Sequence, residues 1–423
     1  IVETSDHDCY IALDRTCFYA ESGGQVSDTG MIVGKNFKAR ILEVFKGPNG
    51  QHIHKAKLLD GVISIKDECE LVIDKDRRNK IEVNHSCVHI LQYALQQVVS
   101  ANIKQAGSYV DDEKLRFDFT YSGKMTDEKL LEVEQFAKEM ISKNLIVSTE
   151  IMPIDKAKQL GAMALFNEKY GNTVRVVKIG KSMELCGGTH TTNTKEITNF
   201  AIYSCESKGS NVYRIEAATG AKTELIMFDV IKPYNDEMVK LLMKAKSILD
   251  EAKNNGIKLN FDVEIDNNKP TSYKDIIFNK NELAYIQQEV RDLEKKYFDL
   301  REQNALQNLD VYKENIKDYN GTSGIIMKVE NKDVNLLKAI ADSLIQTMGN
   351  GLVFFANVKN DNTVNFIARS SCHANAGLLV KDAAVSSNGN GGGSPTFAQG
   401  GGKTIDKLNE IFEHIEKVLK NEA

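Results

Sequence analysis

Residues 80–99 read KIEVNHSCVHILQYALQQVV, and residues 186–190 read CGGTH. The first stretch reads as an amphipathic helix. Val88, Leu91, Leu95 and Val98 form one apolar stripe, and His85, His89, Gln92 and Gln96 form a separate polar one. Positions i and i+4 lie above one another on a helix, so His85 and His89 share a face, which the stripes turn away from the core. The second stretch sets Cys186 and His190 on a glycine-broken turn after the strand-like TVRVVKIG. Together they offer three imidazoles and a thiolate, a ligand set suited to one four-coordinate Zn²⁺ per chain. A His–x3–His pair also arises by chance. A redox thiol at Cys186 is a rival, although no Cys–x2–Cys stands near it.

The chain has 423 residues, enough for two to four domains. With 42% hydrophobic residues it has the composition of a globular protein, and no apolar run is long enough to span a bilayer. Seven scattered cysteines, an odd number, argue for reduced thiols and a cytoplasmic setting. The net charge of −5 is not that of a nucleic-acid coat protein, but a local basic surface would suffice for an RNA partner. Neither a membrane nor DNA is an expected partner. The first residue is Ile1, without a leader pattern, which suggests a piece of something longer.

The expected fold class is α+β, in several domains. Residues 1–75 alternate apolar and polar in CYIALDRTCFY, KARILEVFK and VISIKDECELVI, between glycine turns, and predict a small β-barrel. Residues 76–228 mix helices with a largely antiparallel sheet. Thr126 is the expected N-cap of the helix TDEKLLEVEQFAKEMISKN. Residues 229–316 carry two heptad-like seams, Met238–Leu242–Ala245–Leu249–Ala252 and Ile286–Val290–Leu293–Tyr297–Leu300. They predict a helical hairpin within one chain or a homodimer seam between two. Residues 317–423 read as a small α/β domain that ends in NGNGGGSPTFAQGGGK and a helix. Glycines before a helix N-terminus suit an anion, with a flexible loop as the plainer reading. Phe397 and Ser394 stand where phosphate-loop and dinucleotide fingerprints need glycine, so both motifs fail.

HSCVH with CGGTH resembles the editing domain of alanyl-tRNA synthetases and of the related freestanding alanyl-tRNA editing proteins. TCFYAESGGQVSDTG (16–30), GAMALFNEKYG (161–171), RIEAATG (214–220) and GGGSPTFAQGGGK (391–403) are similar to the same family in the same order. The likeness is to the synthetase's C-terminal half, and the ATP-using aminoacylation domain is not in this stretch. Three departures stand out. Ser86, Cys87 and Val88 replace the usual residues between the histidines and are not expected to ligate. Tyr213 takes the place of an arginine before Arg214, and Ser394 that of a basic residue.

The resemblance implies hydrolysis of serine or glycine wrongly esterified to alanine tRNA. An alanine pocket gains only about 1–3 kcal/mol from a single methyl or hydroxyl, so a second site must remove the errors. Thr16 is the candidate to read the serine hydroxyl, Gln25 to hold the substrate carbonyl or ribose, and Cys186 to ligate metal or act at it. Arg214, Gly391, Gly392, Gly393, Gln399, Gly400, Gly401, Gly402 and Lys403 are the candidate tRNA contacts. The rivals are a freestanding editing protein, a zinc-dependent nucleic-acid-binding protein without catalysis, and a small-substrate metallohydrolase. The last lacks a His–Glu–x2–His motif.

Overall fold

The computed structural model describes residues 2–3, 8–164, 170–265 and 269–421. LFNEK within GAMALFNEKYG lies outside them. The described chain forms two compact units: residues 1–240 with 264–286, and residues 241–263 with 287–423. Regions 1–75 and 76–228 fall together in the first unit, and the helical region 229–316 is shared between the two.

The first unit opens with β1 (Val2–Glu3), β2 (Asp8–Ala12), β3 (Gly30–Gly34), β4 (Phe37–Lys46), β5 (His52–Gly61) and β6 (Cys69–Ile73). They form a six-stranded sheet in the order β1-β2-β5-β4-β3-β6. Among the described strands β1 and β6 are edges, so the expected barrel is an open sheet. Alternation announces one buried face, and closure needs an edge-to-edge pairing that alternation does not encode. β4 buries Phe37, Ala39 and Ile41, then Val44, because a register shift between Ile41 and Glu43 moves the inward set by one residue.

Then come α1 (Lys75–Val98), β7 (Lys104–Val110), β8 (Leu115–Thr120), α2 (Asp127–Ser142), β9 (Val147–Pro153), α3 (Ile154–Gln159), β10 (Thr173–Ile179), β11 (Ser182–Leu185), β12 (Ala201–Gly209) and β13 (Val212–Ala218). Asp74 caps α1 and Thr126 caps α2, each accepting a backbone N–H of the first turn. An antiparallel sheet β12-β13-β8-β7 carries both helices on one face. Leu91 and Leu95 of α1, and Val133 and Ala137 of α2, pack there against Phe117, Phe119 and Ile215. A second sheet, β11-β10-β9, leads into CGGTH. The polar stripe of α1 does not face solvent. His85, His89 and Gln92 are 7, 4 and 4% exposed, because β11 and the turn after it cover that side of the helix.

Two long helices follow, α4 (Lys222–Asn254) and α5 (Tyr273–Gln307). In the first unit Met227 and Ile231 join Tyr273 and Ile276 in the core. In the second, Ala252 packs with Ile257 and Tyr297, and Asn255 donates to the Tyr297 hydroxyl at 2.9 Å. Of the seam residues, Ala252 and Tyr297 thus pack together within this chain.

The rest of the second unit comprises α6 (Asp310–Lys313), β14 (Lys317–Tyr319), β15 (Thr322–Glu330), α7 (Val334–Met348), β16 (Gly351–Val358), β17 (Val364–Ser370), α8 (Ala376–Ser386), β18 (Asn390–Gly393), β19 (Phe397–Gly402) and α9 (Leu408–Leu419). Its sheet runs β14-β15-β16-β17-β19-β18. Only β15 and β16 pair in parallel, across the α7 crossover, and every residue of β16 is buried between α7 and the α8–α9 layer. The glycine-rich segment is the β18–β19 hairpin, paired strand in place of the flexible loop. A Cβ at Gly400 would come within 2.8 Å of Gly391 Cα and 2.9 Å of Val380 Cγ1, so its glycines let α8 close onto the strands.

Candidate metal centre

α1 projects His85 and His89 from successive turns, and the turn after β11 brings Cys186 and His190 against them. One ligand atom from each of the four lies within 4.8 Å of every other. The Cys186 sulfur is 3.4 Å from His85 Nε2 and 3.3 Å from His190 Nε2. A tetrahedral zinc with ordinary Zn–S and Zn–N bonds requires that edge to be about 3.5 Å. The donor set and its spacing therefore fit a zinc ion.

Two of the three outer ring nitrogens, those of His85 and His190, are held from behind. His85 Nδ1 donates to Gln25 Oε1 at 2.7 Å; an amide oxygen only accepts, so the proton sits on Nδ1 and Nε2 keeps its lone pair. His190 Nδ1 lies 3.0 Å from Ser86 Oγ, and His89 Nδ1 lies 3.5 Å from Glu184 Oε2. Such outer partners fix ring orientation in metal sites. Burial, assisted by the nearby Arg175 charge, pushes His85 down to about 4. Burial and the neighbouring histidines hold His89 and His190 well below the ordinary value. All three shifts favour the neutral imidazole, the form that ligates. Burial pushes the Glu184 carboxyl up to about 8, against a hydrogen bond from Ser182.

Backbone geometry is pinned as tightly. Arg175 donates to the carbonyls of Cys186 and Gly188 at 2.8 and 2.7 Å. Gln25, fully buried, also accepts from Thr189 N–H and donates to Thr189 Oγ1, both at 2.9 Å. A Cβ at Gly188 would run into the His85 ring and come within 2.7 Å of Gln25 Oε1. Gly24, at φ +84°, lies so close to Ser108 that a side chain there would strike it. This seats the SGGQ loop against β7, with Val110 N–H bonded to Gly24 O at 2.8 Å.

The cluster floors a cleft of about 180 Å³ lined by Tyr19, Ser22, Lys46, Gln105 and Ser108 as well as the turn. Of the sequence candidates, His85, His89, Cys186, His190 and Gln25 converge here. Thr16 does not line the cleft. Its hydroxyl lies 2.8 Å from Nε2 of buried His54 and accepts the Phe18 N–H at 3.1 Å. Arg214 forms a two-point ion pair with Asp118, at 2.8 Å on each bond. The hairpin candidates belong to the second unit, where Gln399 and Lys403 are exposed. Sequence reasoning missed Ser86, Arg175, Glu184, Lys46, Gln105 and Ser108. Ser86 sat between the two histidines as a visible signal, whereas Lys46, Gln105 and Ser108 carried none.

Comparison with known proteins gives three family matches. Residues 174–216 match the threonyl and alanyl tRNA synthetase second additional domain, 321–421 the DHHA1 domain, and 2–77 the class II (A) tRNA synthetases. The alanine–tRNA ligase of Bacillus subtilis (strain 168) is 35% identical over 419 residues, 97% of this chain and 44% of that protein. The chain is related to the alanine–tRNA ligases. The alanine–tRNA ligase of Fervidobacterium nodosum is 34% identical over 432 residues, all of this chain and 45% of that protein. The chain thus spans under half the length of these relatives. The solved C-Ala domain of Aquifex aeolicus alanyl-tRNA synthetase is 28% identical, covering 25% of this chain and 97% of that one, with a TM-score of 0.24.

Proposed function

We propose that the cleft hydrolyses the ester linking serine or glycine to alanine tRNA. The observation that carries this reading is a cluster of four metal-capable side chains at the floor of a small, hydroxyl-lined cleft in a chain related to alanine–tRNA ligases. The cleft is smaller than the 300–1,000 Å³ of ordinary drug-sized sites, which suits a small amino acid on the end of a longer molecule.

Water adds to the ester carbonyl carbon, the bond to the ribose oxygen breaks, and the departing oxygen takes a proton. The products are the free amino acid and tRNA with its hydroxyl restored. His85, His89, Cys186 and His190 would hold the zinc, which would supply positive charge to the cleft and, with four protein ligands, organise it. Lys46, whose Nζ lies 3.3 Å from Ser22 Oγ, stabilises charge on the carbonyl oxygen. The Ser22 and Ser108 hydroxyls are the polar groups nearest at hand for a serine side chain. Gln25 positions His85 and Thr189, and Thr16 supports its loop through His54. Exposed Gln399 and Lys403, with Arg214, contact the tRNA backbone.

The test is single-turnover hydrolysis of seryl-, glycyl- and alanyl-tRNA by the metal-loaded chain. Hydrolysis of the first two, with alanyl-tRNA spared, is expected. RNA binding without hydrolysis of any of the three would make the protein a zinc-dependent binding module instead.

A further inference from the structure

The connection between β2 and β3 forms no helix or named strand, yet it serves both the cleft and the metal centre. Tyr19, Ser22 and Gly23 line the cleft, and Gln25 holds the His85 ring at 2.7 Å.

The seat of this loop is built on the helix that carries two of the ligands. At the start of α1, Arg78 donates from Nε to Asp28 Oδ1 at 2.7 Å and from Nη2 to Asp28 Oδ2. Its Nη2 also reaches the Cys17 carbonyl at 3.2 Å. Beside it, Arg77 donates to the Ser27 carbonyl at 2.7 Å and to Asp112 at 3.0 Å. Asp28 in turn joins the two ends of the loop. Its Oδ2 accepts the Tyr19 N–H at 2.6 Å, and its own N–H donates to Tyr19 O at 3.1 Å.

The Asp28 side chain is 2% exposed and that of Arg78 18%. A carboxylate so buried is costly unless paired, and a two-point guanidinium pair fixes direction as well as charge. Arg78 precedes His85 by seven residues, which is two turns and about 10.5 Å along one helix axis. A single element thus sets the distance between the loop that bears Gln25 and the ring that Gln25 orients.

We propose that Arg78 and Asp28 are positioning residues of the metal centre: their ion pair seats Gln25, and through Gln25 it orients His85 for zinc. The inference rests on the zinc assignment in the reading above and is independent of which ester is cleaved.

Zinc affinity of the full chain, read by competition with a chelator, is measured in a double-mutant cycle of Asp28→Asn and Gln25→Leu. Asp28→Asn keeps the shape and removes the charge. Alone it should weaken zinc binding about tenfold. In the Gln25→Leu background it should change affinity by less than about twofold. A pair that only stabilised the fold would lower the melting temperature and leave zinc affinity alone. Unchanged affinity in Asp28→Asn, or equal weakening in both backgrounds, overturns the proposal. By reciprocity, zinc bound to the native chain should slow amide exchange at residues 19–28. Exchange that zinc leaves unchanged there overturns it too, and that measurement decides alone should Asp28→Asn fail to fold. Native chain that binds no zinc sinks the zinc assignment together with this inference, whereas native zinc binding that Asp28→Asn leaves intact sinks only the clamp.

Discussion

Two glycine-rich stretches, residues 186–190 in the first unit and 391–402 in the second, meet opposite demands. At Gly188 the missing side chain leaves room for a ligand, the His85 ring, and for the amide of Gln25 that orients it. At Gly391 and Gly400 it leaves room for a helix, with Val380 and Ala384 of α8 pressed onto the strands. The first stretch turns sharply to gather chemistry from distant parts of the chain, and the second is paired sheet. Glycine content alone does not separate them. What separates them is the residues interleaved: Cys186, Thr189 and His190 in one, Phe397 and Ala398 in the other.

The largest expected effect breaks the first stretch. Cys186→Ala with His190→Ala removes half the ligand set, so metal analysis should find essentially no zinc and deacylation should fall below about a hundredth of native. The matching change in the second stretch, Gly400→Ala, should leave zinc content untouched.

Next comes Gln25→Leu, which keeps bulk but removes the acceptor of His85 and Thr189. Zinc affinity, measured by competition with a chelator, should weaken about tenfold to a hundredfold. An unchanged affinity would mean that the loop is held without Gln25.

The glycines sharpen the contrast directly. Gly188→Ala forces a methyl into the His85 ring, whereas a Cβ at Gly187 meets nothing within 4 Å. Gly188→Ala should lower both zinc retention and hydrolysis, and Gly187→Ala should leave zinc retention unchanged. Gly400→Ala should destabilise the second unit by about 1–3 kcal/mol in denaturant melts, the usual cost of overpacking, with hydrolysis of minimal substrates unaffected.

The smallest effect is at Thr16. Since its hydroxyl already bonds His54 and Phe18 N–H, Thr16→Val should cost about 1 kcal/mol of stability and slow seryl- and glycyl-tRNA hydrolysis to the same degree. A loss confined to seryl-tRNA would return Thr16 to reading the side chain.

The four metal-capable side chains that the fold brings together were legible because each pair repeats at i, i+4 within one short stretch. Their supports were not. Arg175 and Glu184 lie on separate strands, and Lys46 and Gln105 reach the cleft from β4 and β7; only the tertiary fold brings them together. The polar stripe of α1 was read as outward-facing because polarity usually marks solvent, whereas here it marks a buried site. Helix α8, AGLLVKDAAVS, was missed because its eleven residues are too apolar all round to show a face. The barrel was over-read from alternation that any half-buried sheet displays, and the β18–β19 hairpin was under-read because glycines carry no alternation at all.

Zinc K-edge absorption, with elemental analysis, on full chain purified without added metal tests most directly whether His85, His89, Cys186 and His190 form one centre. The account predicts about one zinc per chain, bound by one sulfur at about 2.3 Å and three nitrogens at about 2.0–2.1 Å. Metal-free protein that hydrolyses seryl-tRNA, or zinc bound by two or more sulfurs, would contradict it.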